Sequence, residues 1–374
     1  MNAKDVRADS QERAQDRNPR LFQPIRFRSV VARNRIMMSP MCQYSAEDGL
    51  PNDWHFGHLA ARAAGGVGIL CVEATHVTAQ GRITPGCLGL WNDDQRDALA
   101  RIAAHVARLG AVPAIQIGHA GRKASSARPW EGGRPLTAEK GGWETIAPSA
   151  LPALDGAPAP REMTRADIAD AVAAFAAATR RAREAGFRIL EVHGAHGYLI
   201  HSFLSPVSNA RGDAYGGDFD GRCRFLHEVL DAVRGEWPEE LPLFLRISAT
   251  DWVEGGWSLE DSVELAQAVK ARGDVDLIDC SSGGVSPAQV IRPYPGYQVP
   301  FAEEIRRRGG IPTGAVGLIS TPEQAEEVLG SERADLVLLG RVLLADPHWP
   351  LRAAARLRAG DVAWPVQYAR GNIF

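Results

Sequence analysis

The chain alternates between strand-like and helix-like segments along most of its length, and this alternation restricts the fold more than any other feature. The strand-like segments are short runs rich in branched apolar residues, as expected for parallel strands buried on both faces. Most are followed by a longer segment with the apolar spacing of an amphipathic helix. The predicted strands lie at residues 35–40, 67–73, 112–117, 187–192, 243–247, 275–280, 311–316 and 335–339.

The intervening segments carry the boundary signals of helices. Threonine or serine precedes three of them, where N-cap residues are preferred, and glycine follows three, where left-handed C-caps are preferred. These residues are Thr164, Ser258 and Thr321, and Gly110, Gly186 and Gly273. The predicted helices span residues 54–64, 93–109, 165–185, 222–237, 259–272, 301–308 and 322–329.

Eight strand–helix units in a chain of 374 residues predict an α/β fold of the (β/α)8 type, the TIM barrel. The rival fold is a doubly wound parallel sheet. That fold normally carries a G-x-G-x-x-G turn after its first strand, and no such turn follows residues 35–40. We therefore predict one barrel domain over residues 21–374.

Three segments depart from a plain barrel. Residues 120–162 form a long polar excursion after the third strand, rich in glycine and proline, and are predicted to be a cap insertion. Residues 361–374 are aromatic and cationic and are predicted to be a C-terminal arm. Residues 1–20 are charged and almost free of large apolar side chains, which predicts a disordered tail.

Composition limits the partners and the compartment. The formal net charge is −3, which gives no electrostatic reason to expect nucleic acid or an anionic membrane as a partner. No apolar run approaches the roughly 20 residues that a membrane helix needs. The 5 cysteines are scattered, without paired spacing, which predicts reduced thiols in a cytoplasmic protein and argues against a structural zinc site.

The segment 193–198, with the sequence His-Gly-Ala-His-Gly-Tyr, follows directly on the fourth predicted strand. On a straight strand the two histidines would face opposite ways, because side chains alternate. The glycines permit a sharp turn in which His193 and His196 share a face and Tyr198 stands beside them. Two nitrogen donors and a phenolic proton suit a substrate with a polarisable oxygen and a carbon that accepts a proton.

Further polar residues and glycines are predicted at the carboxyl ends of the strands, where barrel enzymes carry their active sites. Glycine-rich turns at residues 314–317 and 340–341 resemble the recurrent phosphate site of barrels, and Arg341 adds a bidentate cation there. With Arg246 and Gln116 in the barrel mouth, the pattern predicts a seat for flavin mononucleotide (FMN). The Gln116 amide would pair with the pyrimidine edge of the ring, and Arg246 would stabilise the charge that develops on reduction.

These motifs together resemble the old yellow enzyme family of flavin reductases, and within it the thermophilic-like, xenobiotic-reductase-like branch. The resemblance extends from about residue 21 to the C-terminus. The motifs that carry it are residues 39–44, 116–123, 191–199, 203–206, 215–217 and 340–341. One position that departs from the family pattern is Gly118, where a somewhat larger residue is common.

The resemblance implies a role for each matching residue. Tightly bound FMN would contact Ser39, Pro40, Met41, Cys42, Ala74, Gln116, Arg246, Gly314, Gly317, Gly340 and Arg341. His193 and His196 would bind the carbonyl oxygen of the substrate, Tyr198 would donate a proton, and Tyr44 would line the substrate site. Cys42 would also tune the flavin. Arg370 would reach into the site of a neighbouring subunit, which implies a homodimer or homotetramer.

The activity implied is that of an ene-reductase. NADPH or NADH would reduce FMN and leave, and an activated alkene such as an α,β-unsaturated carbonyl or nitro compound would then bind over the same ring face. One alternative is a metal-dependent barrel hydrolase with His193 and His196 as ligands, to which His119 and Glu73 would be added. Another is a larger dienoyl-CoA-type reductase with an iron–sulfur cluster, against which the lack of clustered cysteines argues.

Overall fold

The computed structural model describes residues 18–360 and 362–371. Its centre is a closed barrel of eight parallel strands, in which the sequential order of the strands is also their spatial order. The TIM-barrel prediction is therefore confirmed. The barrel strands are β3 (Ile36–Met38), β4 (Ile69–His76), β5 (Val112–Gly118), β8 (Ile189–Gly194), β9 (Leu243–Ser248), β10 (Leu277–Ser281), β11 (Thr313–Ala315) and β12 (Leu336–Leu339).

The barrel strands are buried because each has side chains on two covered faces, one toward the barrel interior and one toward the surrounding helices. All residues of β8, β9 and β10 are buried. The strands begin up to two residues later than the sequence predicts, and β4, β5, β8, β9 and β10 extend beyond the predicted ends. At those ends the polar residues of the active-site edge still pair in the ladder, as His193 does with Arg246.

Helices surround the barrel, and their boundaries follow the capping signals in the sequence. Thr164, Ser258 and Thr321 each accept a hydrogen bond from a backbone N–H in the first turn of the helix that follows. The helices are α1 (Asp53–Ala64), α2 (Asp93–Arg108), α3 (Arg165–Glu184), α4 (Leu199–Leu204), α5 (Phe219–Glu236), α6 (Leu259–Arg272), α7 (Val299–Glu304), α8 (Pro322–Gly330), α9 (Arg341–Ala345) and α10 (Trp349–Arg356).

Two helices differ from their predicted limits by more than one residue. Helix α5 begins at Phe219 rather than at residue 222, because the Asp218 side chain caps it by accepting a hydrogen bond from the N–H of Gly221. The helix predicted at residues 301–308 is α7, which begins at Val299 and continues as a π-helical turn over Ile305–Gly309. Helices α4, α9 and α10 were not predicted.

A hairpin of β1 (Ile25–Phe27) and β2 (Val30–Ala32) packs at the amino-terminal end of the barrel strands. Phe27 contacts Phe244 of β9 edge to face, with ring centroids 5.0 Å apart. This end of the barrel is thereby filled with apolar side chains, which leaves the carboxyl end for chemistry.

The predicted insertion follows β5 and contains the short parallel pair β6 (Ile146–Ala147) and β7 (Arg161–Glu162). Arg122 ties it to the barrel loops by donating to the carbonyl oxygens of Leu151, Pro152 and Val285 at 2.6–3.2 Å. In the C-terminal arm Val366–Gly371 form a helical turn, and the Tyr368 ring lies 5.7 Å from that of His348. Most of the predicted tail lies outside the described residues, and Arg20 begins a helical turn.

Candidate active site

The register of the barrel strands brings the predicted polar residues onto one face. Gln116 pairs with Glu191, and Arg246 pairs with both His193 and Asp279. In parallel strands, register partners point the same way, and residues two apart on a strand share a face. All five of these side chains therefore point into the barrel, at or just below its mouth.

Gln116, Glu191, Arg246 and Asp279 form a buried polar layer across this interior. The Gln116 amide donates to Oε1 of Glu191 at 2.8 Å, and Nε of Arg246 lies 2.9 Å from Oδ2 of Asp279. Burial raises the pKa of both carboxyl groups, and the Arg246 guanidinium opposes that rise. Since only Nε of Arg246 is engaged by Asp279, its terminal N–H groups remain available to a ligand.

His193, His196 and Tyr198 converge above this layer, as the sequence predicts. The ring centroids of His193 lie 5.1 Å from those of both His196 and Tyr198, and the latter two are 6.4 Å apart. His196 makes the turn possible by adopting a left-handed backbone with φ of +62°. Gly118, one of the positions that depart from the family pattern, lies beneath His193, where an added Cβ would stand 3.1 Å from the His193 Cβ.

Hydrogen bonds orient both imidazole rings. Nδ1 of His193 accepts from the N–H of Ala195 at 3.3 Å, so the proton of the neutral ring lies on Nε2. Nε2 of His196 is 2.7 Å from Oγ of Ser281. Desolvation first and the nearby Arg246 second lower the pKa of both histidines well below the ordinary value. Both rings are therefore neutral near pH 7.

Tyr198 stands at the edge of a small apolar cluster formed by Ile83, Cys87, Ala120 and Ala124, against which Cys42 and Tyr44 also pack. Desolvation in this setting raises the pKa of the Tyr198 phenol well above its usual value. The phenol consequently keeps its proton throughout the neutral range. Burial likewise raises the pKa of Cys42, with a further contribution from the Glu73 carboxyl.

The end of β3 presents a second group of predicted residues. Ser39 is buried, and its Oγ has no hydrogen-bond partner among the described residues. Pro40, Met41 and Cys42 follow it and are half-buried. Ala74, on the neighbouring strand, is buried beside them. An unsatisfied buried hydroxyl at this edge is one of the features that a bound polar ligand would satisfy.

The predicted phosphate site is only partly assembled from the predicted residues. Gly340 and Arg341 line a cavity of about 120 Å³ with Val316, Leu318 and Ser320, and the exposed Arg341 makes no ion pair within the described part of the chain. Gly317 adjoins it with φ of +122°. Gly314 has a different reason to be glycine, because an added Cβ would lie 2.3 Å from Cδ1 of Leu338 inside the barrel wall.

The insertion covers a second cavity, of about 300 Å³, whose wall includes Tyr44, Lys123 and Trp143. The Lys123 ammonium donates to the carbonyl oxygens of His196 and Gly284 at 2.9 and 3.0 Å and lies 5.2 Å from the centre of the Tyr198 ring. Desolvation, together with Arg122, lowers the pKa of Lys123 to about 8. No role for Lys123 is predicted from the sequence, although it ends one of the family motifs.

Arg370 stands apart from the other candidate residues. It is exposed in the turn Val366–Gly371 and makes no hydrogen bond or ion pair with any residue that the structure describes. Its predicted role toward a neighbouring subunit stays a prediction.

The described residues offer no set of metal ligands for the hydrolase alternative. Within residues 18–360 and 362–371, His, Cys, Asp and Glu side chains form no group of three or more that could hold a metal ion. His119, one of the extra ligands considered, instead accepts a hydrogen bond from the N–H of Gly121 at 3.0 Å. Glu73 is engaged by the N–H of Gln43 at 2.9 Å. Across the same residues, no helix combines the length and apolarity required to cross a membrane.

Comparison with known proteins gives concordant results. A sequence profile of the NADH:flavin oxidoreductase / NADH oxidase family matches residues 20–359. An NADPH dehydrogenase of Geobacillus sp. (strain WCH70) is 52% identical over 353 residues, which cover 94% of this chain and 98% of that protein. Morphinone reductase has a similar structure, with a TM-score of 0.75 and 27% identity over 91% of this chain and 90% of the other.

A complex of 2-naphthoyl-CoA reductase is also similar, with a TM-score of 0.81 and 27% identity. The alignment covers 90% of this chain but only 52% of that one, so the present chain spans about half of the larger protein. The barrel is thus common to both.

Proposed function

The chain belongs to the NADH:flavin oxidoreductase / NADH oxidase family, and we propose that it is an ene-reductase of the old yellow enzyme type. As a member of this family it is an FMN-dependent oxidoreductase that takes electrons from a reduced nicotinamide cofactor. The proposed substrates are small activated alkenes, chiefly α,β-unsaturated carbonyl compounds and also nitroalkenes. The names of its relatives favour NADPH as the donor.

The residues at the barrel mouth fit FMN. Donors stand at opposite ends of the proposed seat: Gln116 and Arg246 inside the barrel, and Arg341 beside the cavity at Gly340. An isoalloxazine ring with a phosphate tail requires such a separation of hydrogen-bond donors from an anion site. Ser39, Pro40, Met41, Cys42 and Ala74 would form the wall along the ring, and Gly317 would leave room near the phosphate.

When bound, FMN supplies the hydride that is delivered to the β-carbon of the alkene. The chain must bind and polarise the conjugated oxygen. His193 offers Nε2–H to this oxygen, since its Nδ1 is already an acceptor. His196 can donate through Nδ1 if its Nε2 accepts from the Ser281 hydroxyl, a geometry to which their 2.7 Å separation is suited. Two neutral donors stabilise the negative charge that develops on the oxygen.

Tyr198 is the proposed proton donor to the α-carbon. It stands beside both histidines, and its raised pKa keeps it protonated at neutral pH. The α-carbon gains the phenolic proton as the β-carbon gains hydride, and the phenolate is then reprotonated from solvent. The observation that carries the proposal is this convergence of two neutral imidazoles and one protonated phenol at the mouth of a flavin-family barrel.

The test separates the two halves of the reaction by stopped-flow spectroscopy of the flavin. Tyr198→Phe should slow reoxidation by 2-cyclohexenone about 100-fold or more, in line with the usual contribution of a general acid. Reduction by NADPH should change less than about threefold, because that half-reaction needs no proton from Tyr198. Equal slowing of both half-reactions would contradict the role of Tyr198 as proton donor. Steady-state kinetics that require a ternary complex would contradict the use of one ring face by both substrates in turn.

Two further properties belong to the same proposal. Arg370 on the exposed arm would complete the substrate site of a neighbouring subunit in a homodimer or homotetramer. The enzyme would act in the cytoplasm with its 5 thiols reduced, and each described cysteine is a free thiol. Sedimentation of the wild type and of a chain truncated before residue 361 would test the first statement. The truncated chain should lose enone turnover while it keeps FMN.

A further inference from the structure

A fully buried chain of polar groups lies behind the turn that presents His196 and Tyr198. His201, in the first turns of α4, accepts a hydrogen bond at Nδ1 from the N–H of Gly197 at 2.8 Å. On its other side, Nε2 of His201 lies 2.9 Å from Oδ1 of Asp251, which follows β9. Gly197 is the residue between the two candidate catalytic side chains, so this chain of contacts reaches the active site from below.

The contacts fix the protonation of the His201 ring. A ring nitrogen that accepts a hydrogen bond carries no proton, so the ring proton lies on Nε2 and faces the Asp251 carboxylate. The carboxylate is itself held in place, since Oδ2 of Asp251 accepts from Oγ of Ser205 at 2.6 Å and from the N–H of Trp257 at 2.7 Å. Every polar residue in this series of contacts is buried, with His201, Ser205 and Asp251 each 0% exposed.

The turn needs such support because its backbone is unusual. His196 and Gly197 both have left-handed backbones, with φ of +62° and +72°, and only glycine adopts this region without strain. Gly197 is also confined, because an added Cβ would stand 2.3 Å from the carbonyl oxygen of Gly284. Its carbonyl accepts from Oγ of Ser202 at 3.0 Å, so side chains of α4 hold the Gly197 amide and carbonyl alike.

We propose that His201 and Asp251 are positioning residues for the reaction, which hold the Gly197 amide and thereby set the placement of His196 and Tyr198. Neither side chain touches the substrate, and the proposed function does not use either one. The inference rests on the proposed function, because it assigns a purpose to the turn that the function requires.

Two substitutions of His201 each remove one of its two contacts and keep the other. In His201→Asn the amide oxygen stands near the former Nδ1 and can still accept from Gly197, whereas the contact with Asp251 is lost. In His201→Gln the terminal amide reaches toward Asp251 and leaves Gly197 without its acceptor. Asp251→Asn places an amide N–H opposite Nε2–H, which favours moving the ring proton to Nδ1 and so also removes the acceptor.

The experiment compares these holoenzymes in three measurements. The first is reoxidation of the reduced flavin by 2-cyclohexenone, and the second is reoxidation by dioxygen, which needs neither His196 nor Tyr198. The third is amide hydrogen exchange in the peptide around residues 193–200, which reports the turn without any turnover. Thr179→Val serves as the control, because it removes a buried hydrogen bond in α3, from Oγ to the carbonyl oxygen of Phe175 at 2.8 Å, that does not involve the turn.

His201→Gln and Asp251→Asn should slow the enone reaction at least tenfold and the dioxygen reaction less than twofold, with faster exchange at Gly197. His201→Asn should recover to within about threefold of the wild type, and Thr179→Val should leave the ratio of the two rates unchanged. The inference would be overturned if the ratio of the enone rate to the dioxygen rate were the same in all variants. It would also be overturned if His201→Asn and His201→Gln lost the same fraction of the enone rate. A wild type that binds FMN but reduces no enone would instead refute the proposed function, and the exchange data would still judge the placement of the turn.

Discussion

His76 gives the clearest link between burial and the pH dependence of stability. It ends β4, is 1% exposed, and neither ring nitrogen has a hydrogen-bond partner among the described residues. Burial, with smaller contributions from His119 and Arg82, lowers its pKa to about 3. Replacing it with leucine removes a titratable group and two unpaired polar atoms while keeping a side chain of similar size.

The magnitude follows from proton linkage. An unfolded histidine has a pKa of about 6.5, and a shift of one pKa unit corresponds to about 1.36 kcal/mol. Well above pH 6.5 His76 is neutral in both states, so it contributes no pH dependence to the free energy of unfolding. As the pH falls below 6.5 the unfolded state takes up a proton that the folded state refuses, so stability falls. At pH 5 the loss from this one group is about 2 kcal/mol, out of a typical total of about 5–15 kcal/mol.

Urea denaturation of the holoenzyme at pH 8 and pH 5 measures this loss. His76→Leu should be at least about 1 kcal/mol more stable than the wild type at pH 8, because unpaired buried polar groups each cost about 1–3 kcal/mol. Its advantage should grow by about 2 kcal/mol at pH 5. Val77→Ala, at a buried non-titrating neighbour, should differ from the wild type equally at both pH values. An advantage of His76→Leu that is the same at pH 8 and pH 5 would refute the reasoning.

Two further substitutions test the proposed ligand contacts. Arg341→Met should weaken FMN binding about tenfold or more, since a charge-assisted hydrogen bond contributes about 1.5–3 kcal/mol. The control, Arg26→Met at the opposite end of the barrel, should leave FMN binding unchanged. Equilibrium dialysis measures the affinity for FMN, and equal affinities in the two variants would show that Arg341 does not bind the phosphate. Ser281→Ala should raise the dissociation constant of a phenol about fivefold, because His196 loses the hydroxyl that fixes its tautomer. Phenol binding is followed in the absorption spectrum of the flavin. An unchanged dissociation constant would show that His196 donates without the contact with Ser281.

Local sequence signals were sufficient for the architecture. Short apolar runs located all eight barrel strands, and the caps at Thr164, Ser258 and Thr321 located three helix starts to the residue. Where the prediction was late, as at α5, the missed signal was also local, because Asp218 is an N-cap residue. A barrel is accessible in this way since each strand pairs with its neighbour in sequence, and no long-range pairing beyond closure has to be guessed.

Only part of the candidate site could be predicted from the sequence. The convergence of His193, His196 and Tyr198 was predictable because the three residues lie in one short turn with glycine spacing. The residues that support this turn could not be predicted, because their partners are distant in sequence. Asp251 is 50 positions from His201, and Lys123 is 73 positions from His196. Such contacts depend on which side chains of separate loops face each other, and no periodicity encodes that.

Gly314 shows that packing alone can require a glycine that a family pattern assigns to a ligand. A glycine in a turn after strand seven suggests room for phosphate, yet the Cβ that it lacks would collide with Leu338 in the next strand. Glycine at that position is thus required by the packing of β11 against β12, whatever the ligand. Independent support for the phosphate proposal comes from Gly340 and Arg341, which line an open cavity, and from Gly317, which adjoins it.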